Sequence, residues 1–401
     1  MHNIKYVLVQ GLTVFTLISN GSLLYASIQR DKRKEEQMSS TTQLKQISIS
    51  AMFIVLVSTI QPVLAYAEGD GGGVKINGDF RYRHELIDEE GVVERHRQRM
   101  RGRVGLSHQI TDKIETGVRL TTGGAAITSN NESFDGAFAK KSIDIDTFYA
   151  KVKCENSSLT LGKMDIPFFL PGSNTLIWDK DVTPEGISYA YWRKTDSVDM
   201  FFNLAGFWLN ERAVNSDSAL LGGQLGAKFG NDAHKLTAGA SYYGFANVKG
   251  KGALDAGVTG QGNTLTGGNY ANGYNVVEIF AEYWTKVGSM PLLLGASLIN
   301  NTEADDDNAG YEVNVKVGNN KEAGDWFVQL FLLELEKDST LAILSESDPF
   351  DGGTDGSATG VAFGYTTHKA VHLQATYWVG KQGLTNSTDF NRGQLDAVFK
   401  F

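Results

Sequence analysis

The feature that most limits the fold of this chain is a two-residue alternation of apolar and polar side chains, which recurs throughout the sequence after Gly73. No helical period is sustained in this region, and no apolar run there reaches the roughly 18 residues of a membrane-spanning helix. Successive side chains of a strand point to opposite faces, so the pattern predicts β-strands. About 16 such segments can be counted, within a range of about 14–18.

The connections between these predicted strands alternate in length. Tight turns such as Thr111–Asp112 and Asn156–Ser157 fall on one side and carry turn-forming residues. Long connections such as Gly123–Ser142, Pro167–Glu185 and Val248–Gly273 fall on the other side. A soluble sandwich has no reason to sort its connections in this way, whereas outer-membrane barrels have short periplasmic turns and long external loops. The sequence therefore predicts an all-β fold, a transmembrane antiparallel β-barrel.

The two faces of the predicted strands support this interpretation. In the last strand, Leu395 and Phe399 lie on one face, while Gln394 and Asp396 lie on the other. Backbone groups find no water in lipid, so only a closed ring of strands can present such an apolar face to a bilayer. One segment, residues 326–336, is apolar on both faces, so the sequence does not show which of its faces points to lipid and which to the lumen.

Composition narrows the alternatives further. The chain has 45 Gly but only 6 Pro, with 10% aromatic residues, which suits strands and turns. A single cysteine, Cys154, excludes an intramolecular disulfide framework and a cysteine-based zinc site. The net charge of −9 argues against nucleic acid as a partner. We expect no metal and no cofactor.

The N-terminal 67 residues differ from the rest and are expected to lie outside the fold. A basic flank, an apolar segment over Ile47–Leu64 and a small-residue site at Ala65–Ala67 describe a secretory signal peptide. Cleavage after Ala67 leaves residues 68–401 as one barrel domain, and Met38 offers a second translation start. The alternative interpretation is a pair of transmembrane helices.

Two features resemble a known family. A last strand ending in Phe399 and Phe401 looks like the signal read by the outer-membrane assembly machinery, and residues Gly78–Leu106 and Leu161–Tyr189 resemble the bacterial putative-porin family. The resemblance implies a passive diffusion channel for small hydrophilic solutes and ions in the outer membrane, inserted in a lipid bilayer that contains lipopolysaccharide. A homotrimer is likewise implied by the resemblance alone.

Closely spaced arginines mark the expected lumen. They alternate with apolar residues at two-residue spacing on the first three predicted strands, which places them on one wall. An arginine facing lipid at mid-depth costs roughly 2–4 kcal/mol, so several together are expected to face water. A solvated basic face of a soluble sheet is the alternative. The predicted pore-lining arginines, called the arginine ladder below, are Arg81, Arg83, Arg97, Arg99, Arg101, Arg103 and Arg119.

The third long loop, residues 167–185, supplies acidic residues that could oppose this ladder. We expect the loop to fold into the barrel and Asp165, Asp179, Asp181 and Glu185 to face the arginines across a constriction, creating a transverse field. In the alternative arrangement the loop lies over the rim and its acids are solvated.

Other functions remain as alternatives. The chain could be a substrate-specific channel, or a non-conducting barrel that serves as an adhesin or structural anchor. Residues Glu303–Asp307 could bind calcium, but their spacing is not that of an EF-hand, and a solvated external loop is the expected arrangement. No local motif pairs a serine with a histidine or forms a zinc-protease signature, so no enzymatic activity is expected.

Overall fold

The computed structural model describes residues 8–9, 12–13, 73–254, 257 and 259–401. The chain divides into two units, Met1–Ile47 and Ser48–Phe401. In the first unit, the described residues form a short antiparallel pairing of Leu8–Val9 with Leu12–Thr13. The predicted signal peptide, its cleavage site and the second start at Met38 lie outside the described residues.

The second unit contains a closed ring of sixteen long antiparallel strands. Their bounds are β1 (Lys75–Glu89), β2 (Arg95–Gln109), β3 (Ile114–Thr121), β4 (Asp144–Lys153), β5 (Ser157–Lys163), β6 (Glu185–Lys194), β7 (Val198–Asn210), β8 (Ser218–Gly230), β9 (His234–Ala246), β10 (Tyr274–Val287), β11 (Met290–Asn301), β12 (Ala309–Gly318), β13 (Trp326–Leu335), β14 (Gly356–His368), β15 (Val371–Gln382) and β16 (Thr388–Lys400). A two-residue strand, Glu132–Ser133, also pairs with β2.

Closure depends on the pairing of the last strand with the first. Phe399 lies opposite Phe80, and Lys400 lies opposite Asp79. Beyond this register the Phe401 backbone exchanges two hydrogen bonds with Gly78, at 3.0 and 3.1 Å. A closed ring leaves no strand edge unpaired, as a lipid environment requires. The predicted barrel of about sixteen antiparallel strands is confirmed.

The connections sort by length largely as the sequence predicts. Turns of two to four residues follow the even-numbered strands, except for the turn over residues 319–325 after β12, and the external loops follow the odd-numbered strands. The external loops are L1 (90–94), L2 (122–143), L3 (164–184), L4 (211–217), L5 (247–273), L6 (302–308), L7 (336–355) and L8 (383–387). Within the described residues, no helix is long and apolar enough to span a membrane.

Residues 326–336, which are apolar on both faces, include strand β13, whose two faces have different surroundings. Leu330 and Leu332 are about half exposed, at 51% and 48%, and so point outward. Leu333 and Leu335 point the other way and belong to a buried apolar cluster that also contains Leu341 of L7. The inner face of this strand is therefore apolar because it packs against a loop instead of water.

Candidate functional site in the barrel lumen

Loop L3 is bound at its tip to the wall formed by β8, β10 and β12. The Gly172 N–H donates to the Glu282 carboxylate at 2.7 Å, and the Thr175 N–H donates to Glu312 at 3.0 Å. Phe169 exchanges two hydrogen bonds with the Gln224 side chain, at 2.7 and 2.9 Å. The two carboxylates accept backbone N–H groups in strong, directional contacts, and the Gln224 amide adds a paired contact, so these three wall residues fix the path of the loop.

The same loop also reaches the opposite wall. The Asp181 carboxylate lies 3.8 Å from the Arg101 guanidinium and 3.9 Å from that of Arg103, both on β2. Strand β10, which carries Glu282, is eight positions away from β2 in the ring of sixteen. A segment that contacts diametrically opposite strands can lie only inside the ring. Loop L3 therefore crosses the lumen.

Loop L7 packs against L3 and fills space beside it. The Asp179 N–H donates to the Leu344 carbonyl at 2.7 Å, and the Ser345 hydroxyl donates to the Leu176 carbonyl at 2.7 Å. Trp178, only 2% exposed, shares one buried apolar cluster with these two loops. Burial of this apolar surface stabilises the paired loops against the surrounding water. The lumen is therefore partly filled by an ordered stack of loops.

The arginine ladder lies on the inner wall of β1, β2 and β3, and most of its charge is neutralised. Arg83 donates to Asp396 of β16 at 2.7 and 2.8 Å. Arg101 and Arg103 both bind the Asp79 carboxylate, with closest distances of 2.8 and 2.7 Å. The strong pairing leaves much less free positive charge on the wall than a count of arginines suggests.

The remaining ladder residues contact acids and the polar atoms of L2. Arg97 pairs with Glu85, and the same carboxylate lies 3.6 Å from Arg99. Arg81 donates to the Asn131 amide oxygen at 2.6 Å. Arg99 also donates to the Asn131 carbonyl at 3.2 Å. Loop L2 thus covers the ladder, a contact that the sequence did not predict.

Arg119 forms a separate ion-pair group at the base of L3. Its guanidinium binds Asp146 of β4 and lies 2.6 Å from Asp165, the residue just inside L3. Asp146 is nearly fully buried, whereas the Asp165 side chain is 72% exposed. This contact links the start of the crossing loop to the same wall as the ladder.

Two of the four predicted loop acids depart from the expected arrangement. Asp179 is 2% exposed and packs against L7 instead of the arginines. Burial, followed by repulsion from Glu346 and Asp181, raises the pKa of Asp179 well above the usual carboxyl range. Glu185 lies at the start of β6, where its exposed carboxylate is 3.0 Å from the Lys163 ammonium. Sequence spacing could not distinguish these positions from that of Asp181.

One further arginine, with its acidic partner, belongs to the ladder wall without any periodic signal in the sequence. Arg392 on β16 is 3% exposed and donates to Asp348 of L7 at 2.7 Å. The same carboxylate lies 3.6 Å from Arg83. Although burial opposes ionisation, the Arg392 and Arg83 guanidiniums lower the pKa of Asp348. Asp348 therefore binds L7 to the ladder wall. The sequence identified L7 only as a connection between two strands.

Comparisons with known proteins give one family match and several structural matches. Residues 89–273 match the model of the family described as putative porin. A triple mutant of the Rhodopseudomonas blastica porin matches at 12% identity and a TM-score of 0.49. Another variant of that porin matches at 13% identity and the same TM-score, and each match covers 82% of this chain and 100% of the porin.

A search of curated proteins found no match. The family model covers L2, L3 and five of the seven ladder arginines, whereas Glu282, Glu312 and L7 lie outside the matched residues. The fold around them is the closed sixteen-stranded barrel that such channels require. The match over residues 89–273, together with the closed sixteen-stranded barrel that contains them, supports a porin channel similar to the putative porin family.

Proposed function

We propose that solutes cross the barrel through the part of the lumen that loop L3 leaves open. The single observation that carries this proposal is the reach of L3, from Glu282 on one wall to Arg101 on the opposite wall. Sixteen strands leave an aqueous channel unless a loop narrows it. The ladder and Asp181 then form the constriction, with small hydrophilic solutes and ions as the diffusing species.

The charges at this constriction are opposite and close together, so they set up a local field beside the path. Asp181 carries the negative charge of L3, and Arg101 and Arg103 carry the positive charge of the wall. Because Asp79 already neutralises part of the arginine charge, we expect weak ion selectivity instead of strong anion selectivity. A polar solute would orient in this field as it passes.

A second candidate, a substrate-specific channel, is favoured by the loop stack. Loops L3 and L7 share a buried apolar cluster inside the barrel mouth, which reduces the open cross-section. Conductance measurements in planar bilayers with competing solutes separate the two candidates. A general porin conducts all small solutes alike, whereas a specific channel is blocked by its own substrate at low concentration.

We also propose a route to the membrane and an assembled state. The N-terminal segment is removed after Ala67 on export, and the barrel is recognised through Phe401 and its pairing with Gly78. Three copies then associate in a bilayer containing lipopolysaccharide. N-terminal sequencing of the outer-membrane protein tests the cleavage, and an intact Met1 would contradict it. Chemical crosslinking tests the trimer, and monomers alone would contradict it. We assign the chain no catalytic role.

A further inference from the structure

An aromatic pocket lies on the inner wall below the tip of L3. The Phe169 ring of L3 is 5.8 Å from Phe201 of β7 and 5.7 Å from Phe280 of β10. Trp192 of β6 pairs in register with Phe201, so both side chains project from the same face of the sheet. The pocket has a volume of about 340 Å³ and is also lined by Pro167, Asn203 and Lys228.

Hydrogen bonds to L3 show that this face is the lumen. Gln224 binds Phe169 of the crossing loop and also accepts from Asn203 at 3.1 Å. Phe201 and Lys228 lie two and four residues away from these two side chains, so they share the inner face. Opposite Phe201 stands Gly226, where a Cβ atom would come within 2.2 Å of the ring. The glycine therefore leaves the space that the ring occupies.

Aromatic rings are unusual in this position because the inside of a water-filled barrel is normally polar. Phe169, Phe201 and Trp192 are half-buried, so each ring keeps part of its surface open. One explanation is that the rings merely hold L3 in place. That explanation accounts for Phe280, which is 5% exposed, but not for Trp192, which lies on the far side of Phe201.

The charge in the pocket points to an anionic ligand. The Lys228 ammonium lies 5.6 Å from the Phe169 ring centre and 6.0 Å from that of Phe201. Among the described residues, no carboxylate lies within ion-pair distance of Lys228. Asp199 and Lys194 also line the pocket, and Asp199 is paired in register with both Lys194 and Lys228, so two lysines share one carboxylate. The pocket therefore keeps one net positive charge.

We propose that this pocket is a solute subsite for small flat carboxylates, such as aromatic acids. The ring of the solute stacks on Phe201 and Trp192, and its carboxylate binds Lys228. A neutral sugar fits less well, because it needs several free hydrogen-bonding groups and Asn203 is already bonded to Gln224. This inference rests on the proposed channel function for its physiological meaning, but binding itself does not depend on conduction.

The test is a calorimetric titration of the detergent-purified full protein with benzoate. Acetate supplies the charge without the ring, and benzyl alcohol supplies the ring without the charge. We expect saturable benzoate binding and at least roughly tenfold weaker binding of each comparison solute, as expected when one of two contacts is lost. Equal binding of benzoate and acetate, or no benzoate binding, would overturn the subsite.

Two variants locate the site. Lys228→Gln should weaken benzoate binding by roughly tenfold. The matched control is Lys235→Gln, since the Lys235 ammonium also lies over an aromatic ring, 5.4 Å from Trp284, but outside the pocket. Phe201→Leu keeps the charge and should reduce the preference for benzoate over acetate. Equal losses in Lys228→Gln and Lys235→Gln would contradict the assignment.

Current recordings on the same protein separate this proposal from the channel function. If the protein forms conducting channels but does not bind benzoate, only the subsite proposal is contradicted. Benzoate binding by a protein that forms no conducting channel would support the subsite and contradict the channel. Where both hold, benzoate should reduce the ion current more than acetate does at equal concentration.

Discussion

The backbone N–H of Gly172 donates to the Glu282 carboxylate at 2.7 Å, and this contact holds the tip of L3 on the wall opposite the arginine ladder. Glu282 lies on β10. Asp181 of the same loop lies within ion-pair distance of Arg101 and Arg103, which are both on β2. The loop is thus fixed at both walls. Its position across the lumen depends on a few identifiable contacts, which can be removed one at a time.

Replacement of Glu282 by alanine should release the tip of L3. The variant leaves the Gly172 N–H without its partner, at a cost of about 1–3 kcal/mol for an unsatisfied buried group. We expect a higher mean single-channel conductance and more current fluctuation than in the wild type. Glu282→Gln is the matched control, since its amide oxygen still accepts the hydrogen bond. Equal currents in Glu282→Ala and the wild type would show that this contact does not position the loop.

Removal of positive charge from the ladder should shift ion selectivity toward cations. In the double variant with Arg101→Ala and Arg103→Ala, the carboxylates of Asp79 and Asp181 lose their partners and face the solute path. The reversal potential in a KCl gradient measures the shift. Arg95→Ala is the control, because this exposed residue lies at the end of the same strand and forms no ion pair within the described residues. An unchanged reversal potential would show that the two arginines do not lie at the constriction.

The contact between L3 and L7 should weaken as pH rises. Burial and the neighbouring Glu346 and Asp181 carboxylates raise the pKa of Asp179, so this group binds more protons in the folded than in the unfolded protein. Its contribution therefore falls as pH rises from the ordinary carboxyl range, near about 4, toward the raised pKa. Hydrogen exchange of residues 336–355 should speed up with pH beyond the intrinsic chemical rate.

Asp179→Asn provides the control for this pH effect. The amide is close in shape to a protonated carboxyl group and carries no charge at any pH, so the excess exchange of L7 should shrink to the part contributed by Glu346, whose pKa burial raises to about 7. Asp348 keeps its charge throughout this range, since Arg392 and Arg83 lower its pKa against the effect of burial. The same pH dependence in the variant and the wild type would exclude Asp179 as its source.

Loss of the C-terminal aromatic residue should impair barrel assembly. Phe401 exchanges two backbone hydrogen bonds with Gly78, where the ring lies so close that a Cβ atom on Gly78 would be 2.5 Å from it. Deletion of Phe401 removes both the pairing and the ring at the seam. We expect several-fold less protein in the outer-membrane fraction, whereas Lys400→Gln should leave the amount unchanged. Normal levels after the deletion would contradict an assembly role for Phe401.

The sequence predicted the barrel well because alternation and loop length are local properties. The two-residue spacing of Arg97, Arg99, Arg101 and Arg103 is enough to put them on one face of β2. Partners such as Asp396 could not be predicted with the same ease, because its pairing with Arg83 requires the register at which β16 closes on β1. Contacts between residues so far apart in the chain produce no repeating pattern in the sequence.

The loop stack was missed for a related reason. Leu341, Ile343 and Leu344 form a short apolar run inside a segment that the sequence defined only as a connection. Their burial against Trp178 depends on how L3 crosses the lumen, which is decided by side chains on the far wall such as Glu282. Loop acids therefore fall into different environments, with Asp181 at the ladder and Asp179 under L7.

The measurement that tests the central claim most directly is single-channel conductance in planar bilayers, with and without the part of L3 that crosses the lumen. We compare the purified protein with a variant in which residues 168–182 are replaced by a short Gly-Ser linker. We predict discrete, ohmic conductance steps in the wild type and clearly larger steps in the variant. The absence of steps in the wild type, or equal steps in both proteins, would contradict a channel constricted by L3.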